Sequence, residues 1–175
     1  MSCVTEHVEP NGTRSDSWID APNASTRIQS VPVEARGDVM LAQRSARASA
    51  RELGFPQHEA DELAIVASEL ATNILKYGIK GTMTFFEVID PVRGRGLGIV
   101  ARDHGPPFRS FADALEDGCD DSGPIALDDR IRRHGLATGL GAVKRLSDAV
   151  GCFSLPSDGK EVRAVRFLRK VRRNP

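Results

Sequence analysis

The sequence predicts a two-layer α/β sandwich (α+β in the way it segregates strands from helices), with helices on one face of a sheet. Three observations predict it. Apolar residues recur at helical spacing over two adjacent segments in the first half of the chain. Short apolar runs bounded by turn residues follow in pairs. The resulting order is strand, two helices, two strands, helix, loop, helix, two strands, which groups strands beside helices instead of alternating them singly. The 175 residues suffice for one domain with a tail, and a chain of that size buries roughly 70% of the surface its unfolded form exposes.

Residues 1 to about 26 are polar and aperiodic, rich in Asn, Ser, Thr, Pro and Asp, and are expected to be a disordered extension. A strand is expected over Arg27–Val33. Asp38 can cap a helix whose apolar positions are Val39, Ala42, Ala46, Ala50 and Leu53; Gly54 ends it and Pro56 can open the next. That second helix has the strongest periodicity, with Leu63, Val66, Ala67, Leu70 and Ile74 at helical spacing and Gly78 as its stop. Strands follow near Met83–Ile89 and Leu97–Arg102, both too apolar to face water on one side. Phe111–Leu115 begins a short helix, and a polar, glycine-rich segment runs from Glu116 to Thr138. A last helix carries Leu140, Val143, Leu146 and Val150, and strands at Cys152–Leu155 and Glu161–Leu168 close the domain. The domain thus spans about 27–170, and 171–175 form a basic tail. Arg163, Arg166, Arg169, Lys170, Arg172 and Arg173 crowd this end, and a solvated strand face with a frayed tail is the favoured account of them over a docking patch.

Composition narrows the function classes. Lys plus Arg equal Asp plus Glu at 24 each, so the chain lacks the basic surplus that nucleic-acid binding needs. Three cysteines and four histidines lie without metal-ligand spacing, which argues against zinc and fits a reducing cytoplasm. The N-terminus lacks the pattern of a signal peptide, and no apolar run reaches the roughly 20 residues of a membrane helix.

Four motifs carry chemistry. In Ser68-Glu69-Leu70-Ala71-Thr72-Asn73, Glu69 and Asn73 stand four apart and share one helix face. A carboxylate and a carboxamide so arranged can hold a hydrated Mg²⁺, and the carboxylate can act as a general base. Lys76, one turn later, can reach a phosphate. Asp103-His104-Gly105-Pro106-Pro107 ends an apolar strand; its carboxylate can accept from an exocyclic amine, and Gly105 lets a flat ring approach the backbone. The same motif also reads as an ordinary strand-to-loop turn. Gly135-Leu136-Ala137-Thr138-Gly139-Leu140-Gly141 opens a helix, either as a lid presenting N–H groups to phosphates or as a flexible turn with close helix packing. Asp158-Gly159-Lys160 reads as a hairpin turn.

In this order and spacing the four motifs resemble the GHKL (Bergerat-fold) ATPases and kinases, with the strings S-E-L-A-T-N-I-L-K-Y-G at 68–78, E-D-G at 116–118 and G-A-V-K-R-L-S-D at 141–148. Within that superfamily the chain looks like the RsbT-type serine kinases of bacterial partner-switching systems. The resemblance covers roughly residues 27–169 and implies a Bergerat-type mixed sheet with helices on one face. It implies ATP and Mg²⁺ as cofactors, Glu69 as the base or water-orienting carboxylate, Asn73 as the Mg²⁺ ligand, and Asp103 with Gly105 as the adenine seat. Gly135, Leu136, Thr138, Gly139 and Leu140 would form the phosphate lid. The implied partner is a STAS-domain (anti-sigma antagonist) protein as phospho-acceptor, with a PP2C-type phosphatase, a sigma factor and a homodimer as further candidates. Pro107 stands where the family has a second glycine, and stiffens that loop. Ala137 replaces a lid glycine and resists a left-handed conformation. Lys160 replaces the threonine of the closing turn, adding a charge that could meet phosphate. These departures keep a second function open, an anti-sigma factor or partner-switch binding regulator with weak or no kinase activity.

Overall fold

The computed structural model describes residues 6–8, 19, 26–116, 119–120, 123–124, 139–155 and 159–169. Along the chain run β1 (Glu6–Val8), β2 (Thr26–Val33), α1 (Arg36–Leu53), α2 (Gln57–Tyr77), β3 (Gly81–Asp90), β4 (Gly94–Asp103), α3 (Phe111–Ala114), β5 (Cys119–Asp120), β6 (Gly123–Pro124), α4 (Gly139–Leu146), β7 (Ala149–Ser154) and β8 (Lys160–Phe167). One sheet has the order β1-β7-β8-β4-β3-β2, and β5 and β6 form a separate ribbon. The two-layer α/β sandwich is therefore present. Every pairing among the described residues is antiparallel, where the resemblance implied a mixed sheet.

Local chemistry sets the helix ends. Ala35, not Asp38, occupies the position before α1. Asp38 lies inside the first turn and its carboxylate reaches back to accept from the Glu34 and Ala35 N–H groups at 2.9 and 2.8 Å. Those donors hold its pKa below the ordinary carboxylate range. Gly54 ends α1 with φ 98°, where glycine avoids the Cβ clash. Pro56 precedes α2, and Gly78 closes it by donating to Ile74 O at 2.8 Å.

Ala42, Ala46 and Ala50 of α1 and Ala60, Ala67 and Ala71 of α2 are buried in the main core, and these small side chains let the two helices approach closely. Beneath them lie Met83 and Phe85 of β3, Leu97, Ile99 and Ala101 of β4, and Val162 and Ala164 of β8. Strand periodicity then aims Asp103 and Lys160, in phase with those residues, at the helix layer.

The opposite face carries a smaller cluster, Ile19 with Val88, Val100, Ala149, Val165 and Phe167. So β4 is buried on both faces, as its composition implied. β3 is less covered, with Thr82 exposed at one end and Ile89 at the other, and it lies beside the edge strand β2. Val150, expected in the last helix, belongs to β7. The break falls at Asp148, whose N–H donates to Val165 O at 2.8 Å and whose carboxylate accepts from Phe167 N at 2.7 Å. The N-terminal extension contributes β1, which pairs with Val150–Cys152.

Two arginines of the basic C-terminal stretch are structural instead of solvated. Arg166 is 9% exposed and reaches Glu62 Oε2 at 2.6 Å and Leu146 O at 3.2 Å. Arg163 pairs with the buried Glu161, stacks on Phe153 at 4.0 Å and donates to Ile19 O.

Candidate functional site

The site begins at the end of the β4–β8 ladder, where Asp103 and Lys160 are directly opposed. Cross-strand neighbours on one face have Cβ atoms roughly 5 Å apart, so an acidic and a basic side chain there can meet. They do: Lys160 Nζ donates to Asp103 Oδ1 at 2.9 Å and to Pro106 O at 3.0 Å, and lies 5.5 Å from the centre of the Phe108 ring. Both side chains are 5% exposed. Asp103 Oδ1 also accepts from Gly105 N at 2.7 Å. Among the described residues, Oδ2 receives no hydrogen bond.

Three glycines press against Asp103, two on its side chain and one on its backbone. A Cβ on Gly105 would stand 2.3 Å from Tyr77 O, and one on Gly78 would stand 2.8 Å from Asp103 Cγ. A Cβ on Gly159, whose φ is 129°, would lie 2.4 Å from Asp103 O. The C-terminal end of α2, the β4 loop and the closing turn thus converge on Asp103 with room for hydrogen atoms only. His104 N donates to Ile79 O at 2.9 Å and fixes the loop to the segment after α2.

The α2 residues extend the site along the helix. At 1.5 Å per residue, Asn73 lies roughly 7–8 Å and Glu69 roughly 13–14 Å up the axis from Gly78. Both are half-buried, and Lys76 is exposed. Asn73 Nδ2 is buried without a hydrogen-bond partner, as are Glu59 Oε2 and Ser147 Oγ elsewhere among the described residues, and of the three it is the one that shares a helix face with Glu69. The helix therefore sets out in line a carboxylate, an unsatisfied carboxamide and, at its C-terminal end, a second carboxylate in a glycine cradle.

On the far side, Gly139 opens α4 with φ 49°, and Leu140 is buried in the main core. Gly135, Leu136 and Thr138, and with them Ala137, lie outside the described residues. Glu116 and Lys144, which flank that segment, are joined at 2.7 Å. Lys160, expected to offer its charge to a phosphate, gives it to Asp103 and Pro106 instead. Gly78, Pro106 and Phe108 were not singled out as site residues. The glycine directly after the strongest helix was the one available signal; the other two depend on strand register.

A family model described as the histidine kinase-like ATPase domain matches residues 31–166. The chain belongs to that family. It is also 36% identical over 133 residues to the serine/threonine-protein kinase RsbT of Bacillus subtilis (strain 168), an alignment that covers 75% of this chain and 90% of that protein. A histidine kinase-like ATPase domain implies an ATP site. The residues present fit one, because Asp103 keeps an acceptor oxygen among the described residues and Asn73 keeps a buried polar group to satisfy. Among the described residues no helix is long and apolar enough to cross a membrane.

Proposed function

We propose that this protein is an ATP- and Mg²⁺-dependent protein serine/threonine kinase whose phospho-acceptor is a STAS-domain partner in a partner-switching pathway. One observation carries the proposal: Glu69 and Asn73 share a face of the helix whose C-terminal end packs on Asp103. The base of the nucleotide would bind at Asp103 and the phosphates would lie toward Glu69. Asn73 would supply its carboxamide oxygen as a metal ligand, leaving the unpaired Nδ2 to donate to a phosphate oxygen, and bound Mg²⁺ would neutralise charge on the phosphates. Glu69 would orient the partner's hydroxyl and accept its proton. Lys76 is exposed and one turn from Asn73, free to swing toward a phosphate. Gly135, Leu136, Thr138, Gly139 and Leu140 would close over the phosphates with backbone N–H groups. Similarity to the kinase RsbT supports this function over most of the chain.

The occupied Asp103 favours a second function, a binding regulator, an anti-sigma factor among them, that holds nucleotide without transferring phosphate. The test is to incubate the purified protein with γ-labelled ATP, Mg²⁺ and a candidate STAS protein. Serine phosphate on the partner that disappears with Glu69→Ala, while ATP binding is retained, is the expected result. Tight partner binding with no transfer by the wild-type protein would refute the kinase and support the regulator.

A further inference from the structure

We propose that Lys160 is a base-specificity residue: with Asp103 it reads the Watson–Crick edge of adenine, the carboxylate accepting from the N6 amine and the ammonium donating to N1. This rests on ATP binding at Asp103, as proposed above. The donor and acceptor inventory carries it. An ammonium has three N–H donors and no acceptor. Two are spent on Asp103 Oδ1 and Pro106 O, which leaves one. Asp103 Oδ1 already accepts from Gly105 N and Lys160 Nζ, which leaves Oδ2 as the one carboxylate oxygen without a partner among the described residues. The pair therefore presents one acceptor beside one donor.

Adenine's edge offers the complement, one amine donor beside one ring acceptor. Guanine offers one acceptor and two donor groups, so a donor would be left unmet in a buried site, and such a mismatch is strongly discriminated against. The threonine usual at this position can either donate or accept, and so is tolerant. The ammonium only donates, so it requires an acceptor opposite it. Its own position is fixed by the end of the β4–β8 ladder and by Pro106 and Phe108.

The test is calorimetric titration of the full chain with ATP, with 1-deaza-ATP, in which N1 is a C–H, and with GTP. Wild type is expected to bind 1-deaza-ATP and GTP about tenfold or more weakly than ATP, the loss typical of one hydrogen bond to a charged group. Lys160→Met keeps the apolar stem and is expected to lose the distinction between ATP and 1-deaza-ATP. Lys160→Gln, whose amide still donates, is expected to keep part of it. Equal binding of ATP and 1-deaza-ATP by wild type overturns the inference without any variant having to fold. So does a preference that survives unchanged in Lys160→Met, and so does GTP binding as tight as ATP binding. No binding of ATP at all overturns instead the nucleotide site on which the inference stands.

Discussion

The Asp103 carboxylate and the Lys160 ammonium are each only 5% exposed, so each depends chiefly on the other. Removing one charge from a buried pair strands its partner and typically costs about 3–5 kcal/mol. Asp103→Asn, which keeps an acceptor for Gly105 N, is therefore expected to lower stability by about that amount, read as a shift in urea midpoint. A loss below about 1 kcal/mol would mean that water reaches the ammonium. The same residue shows how far a chain can be read locally. Asp103 stood out because a carboxylate followed an apolar strand and preceded a glycine. Its partner, 57 positions away, could not be seen, because no local spacing encodes which residues face each other across β4 and β8. The turn lysine looked like a charge for phosphate until register put it against a carboxylate.

At the scale of elements, the helices were legible because their signals are local. The α2 periodicity and Gly54 act within one turn, and both did what their chemistry implies; Gly78 does end α2, but in an extended conformation, and glycine is required there by the close approach of Asp103. Asp38 also acts locally, from the third position of α1. Its folded pKa is depressed by the Glu34 and Ala35 N–H groups. A depressed carboxylate contributes stability that is fully present above its unfolded pKa and lost as pH falls through the folded value. The stability gap between wild type and Asp38→Ala is thus expected to be constant near neutrality and to shrink as pH drops below about 4, measured by thermal melts across that range. A gap of unchanged size at acid pH would refute the cap. The end of α4 was misjudged for a complementary reason: Val150 fits a helical period, but Asp148 bonds to β8 through its N–H and its carboxylate and turns the chain into β7.

Across the whole molecule, the outer sheet face depends on the N-terminal extension. Ile19 is fully buried in the cluster with Val88, Val100, Val165 and Phe167, and Arg163 donates to its carbonyl. Truncating a buried Ile to Ala usually costs about 2–5 kcal/mol. Ile19→Ala is expected to fall in that range by urea denaturation with ATP binding unchanged, since the proposed nucleotide site lies on the opposite face of the sheet. An effect within about 0.5 kcal/mol would mean that the extension does not cover the sheet in solution. A polar, aperiodic stretch gives no sequence sign of this role, because apolar residues as scattered as Val4, Val8, Trp18 and Ile19 define no period.

What the chain's order of residues determined by itself is what short-range physics controls: helix periods, their stops, the apolar strands, and a Glu69–Asn73 face fixed by helical geometry. It also carried enough of the motif order to point to the family. Tertiary structure alone decided which residues meet across the sheet. That includes the Lys160 ammonium on Asp103, the glycines packed around it, and the two arginines drawn out of solvent by carboxylates on other elements or neighbouring positions. Strand register and layer packing join residues tens of positions apart, and the free energy of such contacts depends on partners that no local window contains.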